Sequence, residues 1–461
     1  MISSSAGELA KACGGCLLGV SENTLLNNIV INDKEVEKNS CFAALAGENH
    51  DGNEYAALAL DAGAMAVLTD KKEQAEKCPS ILVESVPKAL LMAAEYYREK
   101  ELETLIAISG SVGKTTVKDL TYSVLKEKSS VLKTKENRNN LIGAPLTVLS
   151  NSESEIAVIE AGISIPGEMD KLGKMLKPDV AVITNIENMH AQTLGSKENT
   201  AREKLRVLSY VKKGGRVVLL YDEPLLREAE IGDLNVTFVS ESDRKADLSL
   251  ANCVTSAFGT SFDVMQKNEV LYKDICLSLI GKHNALNALF AIAAAGKMVS
   301  EDDIRKGLKN AEMSEMRQKV MKINGKTILL DTYNAGPRSC RAALDIFSEL
   351  CKEEKHKKKV IAFGSMLELG DISEREHYLL GLAVARVSPD TLIIYGSEAR
   401  PLAGGAEEGG IPKDSIAFFE DDEKVKAKAL FKDETKDGAV ILLKGSRAMK
   451  MEEFIDYDRN M

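Results

Sequence analysis

The apolar residues of this chain recur in two alternating patterns. Short apolar runs, typical of buried strands, alternate with amphipathic segments of about a dozen residues, which are typical of helices. Such alternation predicts strand–helix–strand units and sheets that are mostly parallel. The chain is therefore expected to be an α/β protein.

Three series of these units divide the chain. Residues 1–98 carry short strands such as "CFAALAG" and end in the amphipathic "PKALLMAAEYYREKE". Residues 99–314 contain "LIAISG", "EIAVIEAG", "DVAVITNI" and "GRVVLLYDE", then an irregular strand-rich piece and a helix beginning at His283. Residues 315–461 contain "KTILLDTYN", "KKVIAFGSM", "DTLIIYG" and "GAVILLKGS". We predict a small α/β domain, a central parallel-sheet domain and a C-terminal Rossmann-like domain.

Composition and charge narrow the range of possible functions. The 461 residues are 44% hydrophobic and 28% charged, with a net charge of -10, which argues against a nucleic-acid clamp but allows small anionic substrates. The most apolar stretch, "ALNALFAIAAAGKMV", is interrupted by Asn287 and Lys297 and predicts a buried helix. No leader pattern is evident, so we expect a cytoplasmic protein without membrane insertion.

Two local clusters are interpreted as structural. The "CGGC" pair, Cys13 and Cys16, has no second pair or nearby histidine, which favours reduced or incidental thiols over half a zinc site or a redox pair. The run "CKEEKHKKKV" is most simply a solvated helix end and loop, with a phosphate-binding patch as the less favoured interpretation.

One loop carries a phosphate-binding signature, in "IAISGSVGKTTVKDL" from Ile106 to Leu120. A buried strand leads into a glycine turn, and a lysine with two hydroxyl residues then opens a helix, so that backbone N–H groups, a cation and a potential Mg²⁺ ligand surround one anion. The standard spacing places a glycine where Ile108 stands, so the loop is a shortened variant; a ligand-free glycine turn is the alternative. The candidate phosphate-binding residues are Gly110, Ser111, Gly113, Lys114, Thr115 and Thr116.

Polar residues at other strand and helix ends accompany this loop. Glu160 ends an apolar strand, where a carboxylate can hold Mg²⁺ or orient a nucleophile; an exposed strand-end acid is the alternative. His190 follows the strand in "ITNIENMH", although a satisfied, partly buried histidine is the common case. Lys204 lies on a helix soon after, and His283 with Asn284 open another. A phosphate loop alone permits kinase, GTPase or ligase chemistry. Each of these further signals is weak alone, but their combination in this order on such elements is not.

The chain resembles the Mur ligases, ATP-dependent amide-forming enzymes of bacterial peptidoglycan precursor synthesis. The likeness runs through nearly the whole chain. In the first domain "ALAGENHDGNEYAALALDAGAMAVL" resembles a uridine-substrate domain, and "NRNNLIGAPLTVL", "LDTYNAGPRS", "FGSMLELGDISEREH" and "LLKGSRAMKME" resemble characteristic stretches of the family. The last three are more diagnostic than the phosphate loop.

The resemblance implies a UDP-substrate domain, a central ATPase domain and a C-terminal domain that closes over the nucleotide. It implies ATP and Mg²⁺ as cofactors and UDP-N-acetylmuramoyl-tripeptide with D-alanyl-D-alanine as substrates, joined through an acyl phosphate by a monomeric enzyme. By the same resemblance Lys114 and Thr115 bind phosphates and metal, Glu160 and His190 serve the metals, and Lys204 is carbamylated by CO₂. The remaining implied nucleotide contacts are Asn284 to adenine, Arg317 to phosphates and Asp331 to ribose, with His283 and Asn334 as further candidates. A turn cap for Asp331 and a surface pair for Arg317 are the alternatives.

The sequence also departs from the family pattern. Where the family has Asp-Ser-Arg for the uridine substrate, the chain has Asn32, Asp33 and Lys34, and lysine lacks the bidentate geometry of arginine. Other departures are Ser164, Gln192, Arg206, Gly336 and Ser365. Two alternatives therefore stay open: an amide ligase of this family with a different carboxylate or amine substrate, and a nucleotide-binding regulatory protein without turnover.

Overall fold

A computed structural model describes residues 4–47, 50–187, 191–313, 316–436 and 438–455. The chain forms two compact units. The first comprises residues 1–186, 201–239 and 290–307, and the second comprises residues 187–200, 240–289 and 308–461. Parallel sheets with helices between their strands confirm the predicted α/β class. The three predicted domain ranges stay a prediction.

The first sheet of the first unit is built from the short apolar runs near the start of the chain. Its five strands lie in the order β2-β7-β6-β5-β4, parallel except for β2 with β7. The elements are β1 Ser4–Ser5, α1 Ala6–Cys13, β2 Cys16–Leu18, β3 Leu25–Leu26, β4 Asn28–Val30, β5 Ser40–Ala43, α2 Ala56–Asp61, β6 Ala64–Thr69, α3 Lys72–Ala75, β7 Ser80–Leu82 and α4 Val86–Glu101.

A second, parallel sheet follows in the first unit, and its strands lie in the order β13-β12-β11-β8-β10-β9. The central strands β8, β10 and β11 are almost wholly buried, as their apolar runs predict. The elements of this stretch of chain are β8 Thr104–Ser109, α5 Lys114–Leu125, β9 Val131–Lys133, α6 Gly143–Leu149, β10 Ile156–Glu160, α7 Glu168–Leu176, β11 Val180–Ile183, α8 Ala191–Leu194, α9 Lys197–Leu205, β12 Arg216–Leu220, α10 Pro224–Arg227 and β13 Asn235–Ser240. The carboxyl ends of β8, β10 and β11 meet at one edge, where parallel α/β sheets bind ligands.

The second unit contains an antiparallel meander, β14 to β16, and a six-stranded sheet in the order β17-β18-β22-β19-β20-β21. All neighbours in the six-stranded sheet are parallel except β17 with β18. The remaining elements of the chain are β14 Leu248–Ser256, β15 Gly259–Gln266, β16 Glu269–Leu277, α11 Lys282–Ala295, α12 Glu301–Lys309, β17 Lys319–Ile323, β18 Lys326–Asp331, α13 Pro337–Glu353, β19 Lys358–Gly364, α14 Ser373–Val387, β20 Thr391–Tyr395, α15 Arg400–Glu408, β21 Ile416–Phe419, α16 Lys424–Glu434 and β22 Ala439–Lys444.

The apolar helix predicted within 285–299 is α11, whose residues are almost all buried. Within the described ranges, no helix has the length and apolar character needed to span a bilayer. The eight cysteines are free thiols; Cys13 is buried and Cys16 is exposed.

A buried arginine anchors the start of the second sheet. The Arg98 side chain, on α4, is fully buried; it donates to the Leu176 carbonyl oxygen at 2.7 Å and pairs with Asp179 at 2.5 Å. The Asp179 carboxylate also accepts from the Leu105 N–H at 2.8 Å, at the start of β8. Arg98 therefore joins α4 to the strand that leads into the phosphate loop.

We expect Arg98→Met to lower the free energy of unfolding of the first unit by ~1–3 kcal/mol, because the carbonyl oxygens of Leu102, Leu176 and Lys177 lose their buried donor. Asp179 contributes less to this loss, since its side chain is 27% exposed and it keeps an ion pair with Lys212 at 3.5 Å. Arg206→Met is the control, since the Arg206–Asp170 pair is 45% and 37% exposed and is expected to contribute less than ~1 kcal/mol. Urea unfolding followed by circular dichroism measures both. Equal effects of the two substitutions would contradict the anchoring role.

Candidate active site

The predicted phosphate loop forms between β8 and α5. Gly110 and Gly113 have φ values of 133° and 88°, in the region that side chains rarely adopt. A Cβ atom at Gly110 would stand 2.1 Å from the Thr184 hydroxyl oxygen, so the close approach also requires glycine. The glycine-dependent turn predicted from the sequence is confirmed.

The loop is held by the residues that follow β11. The Val112 N–H donates to the Asn185 side-chain oxygen at 2.8 Å, and the Thr184 hydroxyl donates to the Val112 carbonyl oxygen at 2.6 Å. The Ser111 N–H donates to the Asn185 carbonyl oxygen at 3.0 Å. These bonds fix the loop in place before any ligand arrives, which is what an electrostatic site requires. Sequence reasoning did not single out Thr184 or Asn185.

Lys114 is the first residue of α5, and its side chain folds back over the loop. The ammonium group donates to the carbonyl oxygens of Gly110 and Ser111, each at 2.9 Å. The N–H groups in the first turn of a helix are not used by the helix itself and favour an anion. A cation and helix N–H donors thus lie at the same loop.

Glu160 lies beside this loop at the end of β10, and only 2% of it is exposed. One carboxylate oxygen accepts from the Thr115 hydroxyl at 2.8 Å, and the other accepts from the Asn139 amide at 2.9 Å. The Glu160 N–H donates to the Thr134 hydroxyl at 2.9 Å. The structure therefore brings together Thr115 and Glu160, two possible oxygen ligands of a metal that the sequence predicted separately. Because Glu160 is buried, the alternative of an exposed strand-end acid does not hold.

Lys204 lies on α9 and is buried, with 2% of its surface exposed. Burial lowers its pKa well below the ordinary value; the charge of Lys114 lowers the pKa further, and Glu160 opposes this change. This environment favours an uncharged amine, which is the nucleophilic form.

Two of the predicted positions lie outside the described side chains, and two of the departures from the family pattern make local contacts. His190 lies outside the described residues, and Gln192 is described only by its backbone in α8. Arg206 pairs with Asp170 at 2.5 Å and with Glu203 at 3.1 Å. The Ser164 N–H donates to Glu168 at 2.7 Å. Arg206 therefore makes local ion pairs where the family pattern has an acid.

In the first unit, the stretch Asn32 to Lys34, which departs from the family pattern for the uridine substrate, lies on the surface. The Asn32 side chain caps a short 3-10 helix, Asp33–Glu35, by accepting from the Lys34 N–H at 3.1 Å. Glu35 in this helix pairs with Arg138 at 3.3 Å. Since Arg138 precedes Asn139, which binds Glu160, this stretch is linked through one loop to the candidate active site.

In the second unit, Asn284 and Asp331 meet through Gln318. The buried Asn284 amide donates to the Gln318 side-chain oxygen at 2.6 Å, and the Gln318 N–H donates to the Asp331 carboxylate at 3.3 Å. The ring of His283 lies 3.3 Å from the Gln318 amide nitrogen. Burial lowers the His283 pKa to about 4, against the attraction of Asp331, so the ring is neutral near pH 7. Gln318 was not predicted.

Asp331 also forms a buried ion pair with a residue that sequence reasoning did not select. The Lys444 ammonium lies 2.5 Å from the Asp331 carboxylate and donates to the Asn334 carbonyl oxygen at 3.0 Å. Asp331 and Lys444 are cross-strand neighbours at the carboxyl ends of β18 and β22. The pair fixes the polypeptide at the edge of the sheet where ligands bind in α/β folds.

Arg317 stacks on an aromatic ring. Its guanidinium carbon lies 4.0 Å from the centroid of Tyr333, and its buried Nε has no hydrogen-bond partner among the described residues. Met316 and Gln318 on either side have φ values of 62° and 45°. Strained backbone around an arginine with an unused donor is typical of a ligand-binding position. The structure therefore does not support the alternative interpretation, in which Arg317 only forms an ion pair on the surface.

Two further departures lie in the second unit. Gly336 begins α13 in extended backbone that any residue adopts. Ser365 follows β19 and is 1% exposed, and its hydroxyl has no hydrogen-bond partner within the described part of the chain. The serine therefore leaves a buried hydroxyl where the family pattern has a carboxylate.

Known protein families match most of the chain. The Mur ligase middle domain matches residues 108–295, and the family described as Mur ligase, glutamate ligase domain matches residues 316–447. The UDP-N-acetylmuramoyl-tripeptide–D-alanyl-D-alanine ligase of Bacillus subtilis (strain 168) is 35% identical over 439 residues, which are 94% of this chain and 93% of that protein.

Solved structures show the same likeness. One crystal structure of MurF from Acinetobacter baumannii superposes with a TM-score of 0.86 and 26% identity over 98% of each chain. The MurF ligase from Thermotoga maritima, crystallised in complex with ADP, superposes with a TM-score of 0.78 and 28% identity over 93% of this chain and 96% of that one.

Proposed function

This chain belongs to the Mur ligase family, and we propose that it is the ATP-dependent ligase that joins D-alanyl-D-alanine to UDP-N-acetylmuramoyl-tripeptide. The observation that carries the proposal is the 35% identity to a ligase of that name over 94% of the chain. The contact between Thr115 and Glu160 beside the phosphate loop supports it. Such a site suits phosphoryl transfer, in which catalysis is mostly positioning and charge stabilisation.

The reaction proceeds in two steps. A carboxylate oxygen of the tripeptide attacks the γ-phosphorus of ATP; the new O–P bond forms as the bond to ADP breaks, giving an acyl phosphate. The amino group of D-alanyl-D-alanine then attacks the acyl carbon, loses a proton and expels inorganic phosphate. The expelled phosphate carries one oxygen of the original carboxylate.

The residues of the phosphate loop have defined roles in the first step. Lys114 and the helix N–H groups stabilise the charge on the transferring phosphoryl group. Thr115 and Glu160 would hold Mg²⁺, which prefers oxygen ligands and commonly binds through one or two carboxylates, waters and substrate phosphates. Within the described residues there is no cluster of three acidic, histidine or cysteine side chains. When bound, Mg²⁺ supplies positive charge to the phosphate oxygens.

Lys204 becomes a carbamate in this proposal. A neutral amine attacks CO₂, one proton is released, and the product is a carbamate anion. The buried site favours the neutral amine that this step needs. The modified side chain would add an acidic oxygen ligand near Lys114.

Asn284, Arg317 and Asp331 remain predicted contacts of the adenine, phosphates and ribose. The fully buried Asn284 and the unused donor of Arg317 support these roles. A cytoplasmic, monomeric enzyme also stays a prediction.

The coupling of ATP hydrolysis to its two substrates tests the proposal. Phosphate release is measured with UDP-muramoyl peptides of different length and third residue, each with and without D-alanyl-D-alanine. We expect release in stoichiometric amounts only when a UDP-muramoyl-tripeptide and the dipeptide are both present. A different preferred carboxylate would favour the second candidate, a family ligase with another substrate, which the exposed Asn32 and Lys34 motivate. No release with any pair would contradict ligase function.

A further inference from the structure

A fully buried lysine lies one helical turn beyond the phosphate-loop lysine. Lys118 is on α5, four residues after Lys114, and none of its surface is exposed. Its ammonium donates to the carbonyl oxygen of Thr134 at 2.9 Å and lies 3.3 Å from the carboxylate of Asp119. Burying a charge is costly, and a well-packed apolar residue would commonly be at least as stable in its place. The lysine therefore calls for a reason beyond packing.

Thr134 links this lysine to the candidate metal ligand. The residue is fully buried, and its hydroxyl accepts from the N–H of Glu160 at 2.9 Å. Lys118 thus binds the carbonyl group of Thr134, and the Thr134 side chain binds the backbone of Glu160. Since Glu160 is 2.8 Å from the Thr115 hydroxyl, the chain of contacts returns to α5 three residues before Lys118.

The charges along this path alternate in sign. Lys118 is attracted to both Asp119 and Glu160. Asp119, also fully buried, pairs with Lys133 at 2.9 Å, and the Lys133 ammonium lies 4.4 Å from the ring centroid of Tyr122. The alternation compensates the buried charges. Lys118 differs from Lys133 because it is attracted to Glu160 and also bonds to the Thr134 carbonyl oxygen.

We infer that Lys118 is a positioning residue that, through Thr134, fixes the Glu160 carboxylate beside Thr115 for metal binding. This inference rests on the proposed function, because that function assigns Mg²⁺ to Glu160 and Thr115. Replacing residues that orient metal ligands typically weakens metal binding by about tenfold to a hundredfold. Lys118 does not itself contact the substrate or the metal.

Metal affinity provides a test that does not depend on turnover. Mn²⁺ is titrated by electron paramagnetic resonance in the presence of a non-hydrolysable ATP analogue, with the full-length protein. We expect Lys118→Met, which removes the ammonium group and keeps an unbranched side chain of similar size, to weaken Mn²⁺ binding about tenfold or more. The apparent Mg²⁺ requirement for ATP hydrolysis should rise in parallel, while KM for D-alanyl-D-alanine stays unchanged.

Lys133→Met is the matched control, because it removes a second partner of Asp119 and leaves Thr134 and Glu160 in place. It should lower thermal stability while leaving Mn²⁺ affinity at the wild-type value. Equal weakening of Mn²⁺ binding by both substitutions would overturn positioning through Thr134. Wild-type Mn²⁺ affinity in a folded Lys118→Met protein would overturn it as well.

Variants of Thr134 test the positioning of Glu160 if Lys118→Met does not fold. Thr134→Val removes the hydroxyl that accepts from Glu160 and leaves the carbonyl group that Lys118 binds, so it should weaken Mn²⁺ binding, and Thr134→Ser should restore it. Unchanged Mn²⁺ affinity in Thr134→Val would overturn the inference. A wild-type protein that binds Mn²⁺ with nucleotide but forms no amide bond would instead contradict the proposed function, so the two failures are distinguishable.

Discussion

Replacing Lys114 by methionine is expected to reduce both ATP hydrolysis and ligation by about a hundredfold to a thousandfold, the range found when one preorganised donor is removed from a charged transition state. The loss should fall on kcat, because the ammonium stabilises charge that develops during phosphoryl transfer. Steady-state phosphate release at saturating substrates measures it. The fold should persist, since the loop is also held by Thr184 and Asn185.

Lys126→Met is the matched control, because Lys126 is an exposed lysine at the end of the same helix. It should keep wild-type activity and the same far-ultraviolet circular dichroism. If Lys114→Met retained the wild-type kcat, the assignment of this loop to the transferring phosphate would be wrong.

Replacing Lys204 by alanine is expected to reduce ligation at least about a hundredfold, because the carbamate and its negative charge are lost from the site that stabilises the transition state. Small carboxylates such as formate or acetate should restore part of the activity by occupying the vacated position. Activity is measured over a range of added carboxylate, and intact-protein labelling with ¹³C-bicarbonate reports the carbamate by nuclear magnetic resonance in the wild type.

Arg202→Ala serves as the control on the same helix, since Arg202 is exposed. It should neither lose activity nor respond to carboxylates. Full activity of Lys204→Ala, together with no ¹³C carbamate signal in the wild type, would exclude the modification.

The sequence predicted the positions of strand ends better than the contacts made there. Apolar runs located β8, β10 and β11, and the glycines of the loop follow from its turn geometry. Parallel strands bring their carboxyl ends to one edge, so the proximity of Glu160 to the loop could be expected. Its bonds to Thr115 and Asn139 could not, because they depend on side-chain directions set by packing between distant segments.

In the second unit, too, contacts between distant segments could not be predicted from the sequence. The pairing of Asp331 with Lys444 joins residues on strands far apart in the sequence. The stretch "LLKGSRAMKME", which resembles the family, contains Lys444, but nothing in it indicates Asp331 as the partner. Gln318 likewise has no sequence signal of its own. The strands β9 and β21 were also not predicted, because three or four residues are too few to show a period.

The departures from the family pattern have different structural consequences. Arg206 is satisfied by Asp170 and Glu203, so its positive charge is compensated locally. Ser365, where the family pattern has an acid, is a buried hydroxyl without a partner among the described residues, so the chain carries no carboxylate at this position after β19.

Isotope transfer from the tripeptide to phosphate tests the central claim most directly. The terminal carboxylate of UDP-N-acetylmuramoyl-tripeptide is labelled with ¹⁸O, the reaction is run with ATP and D-alanyl-D-alanine, and the phosphate and the peptide product are analysed by mass spectrometry. An acyl phosphate intermediate predicts one ¹⁸O atom in each phosphate released and one peptide bond formed for each phosphate. Unlabelled phosphate, or phosphate release without a new peptide bond, would contradict the assignment of this chain as an amide ligase that activates its carboxylate with ATP.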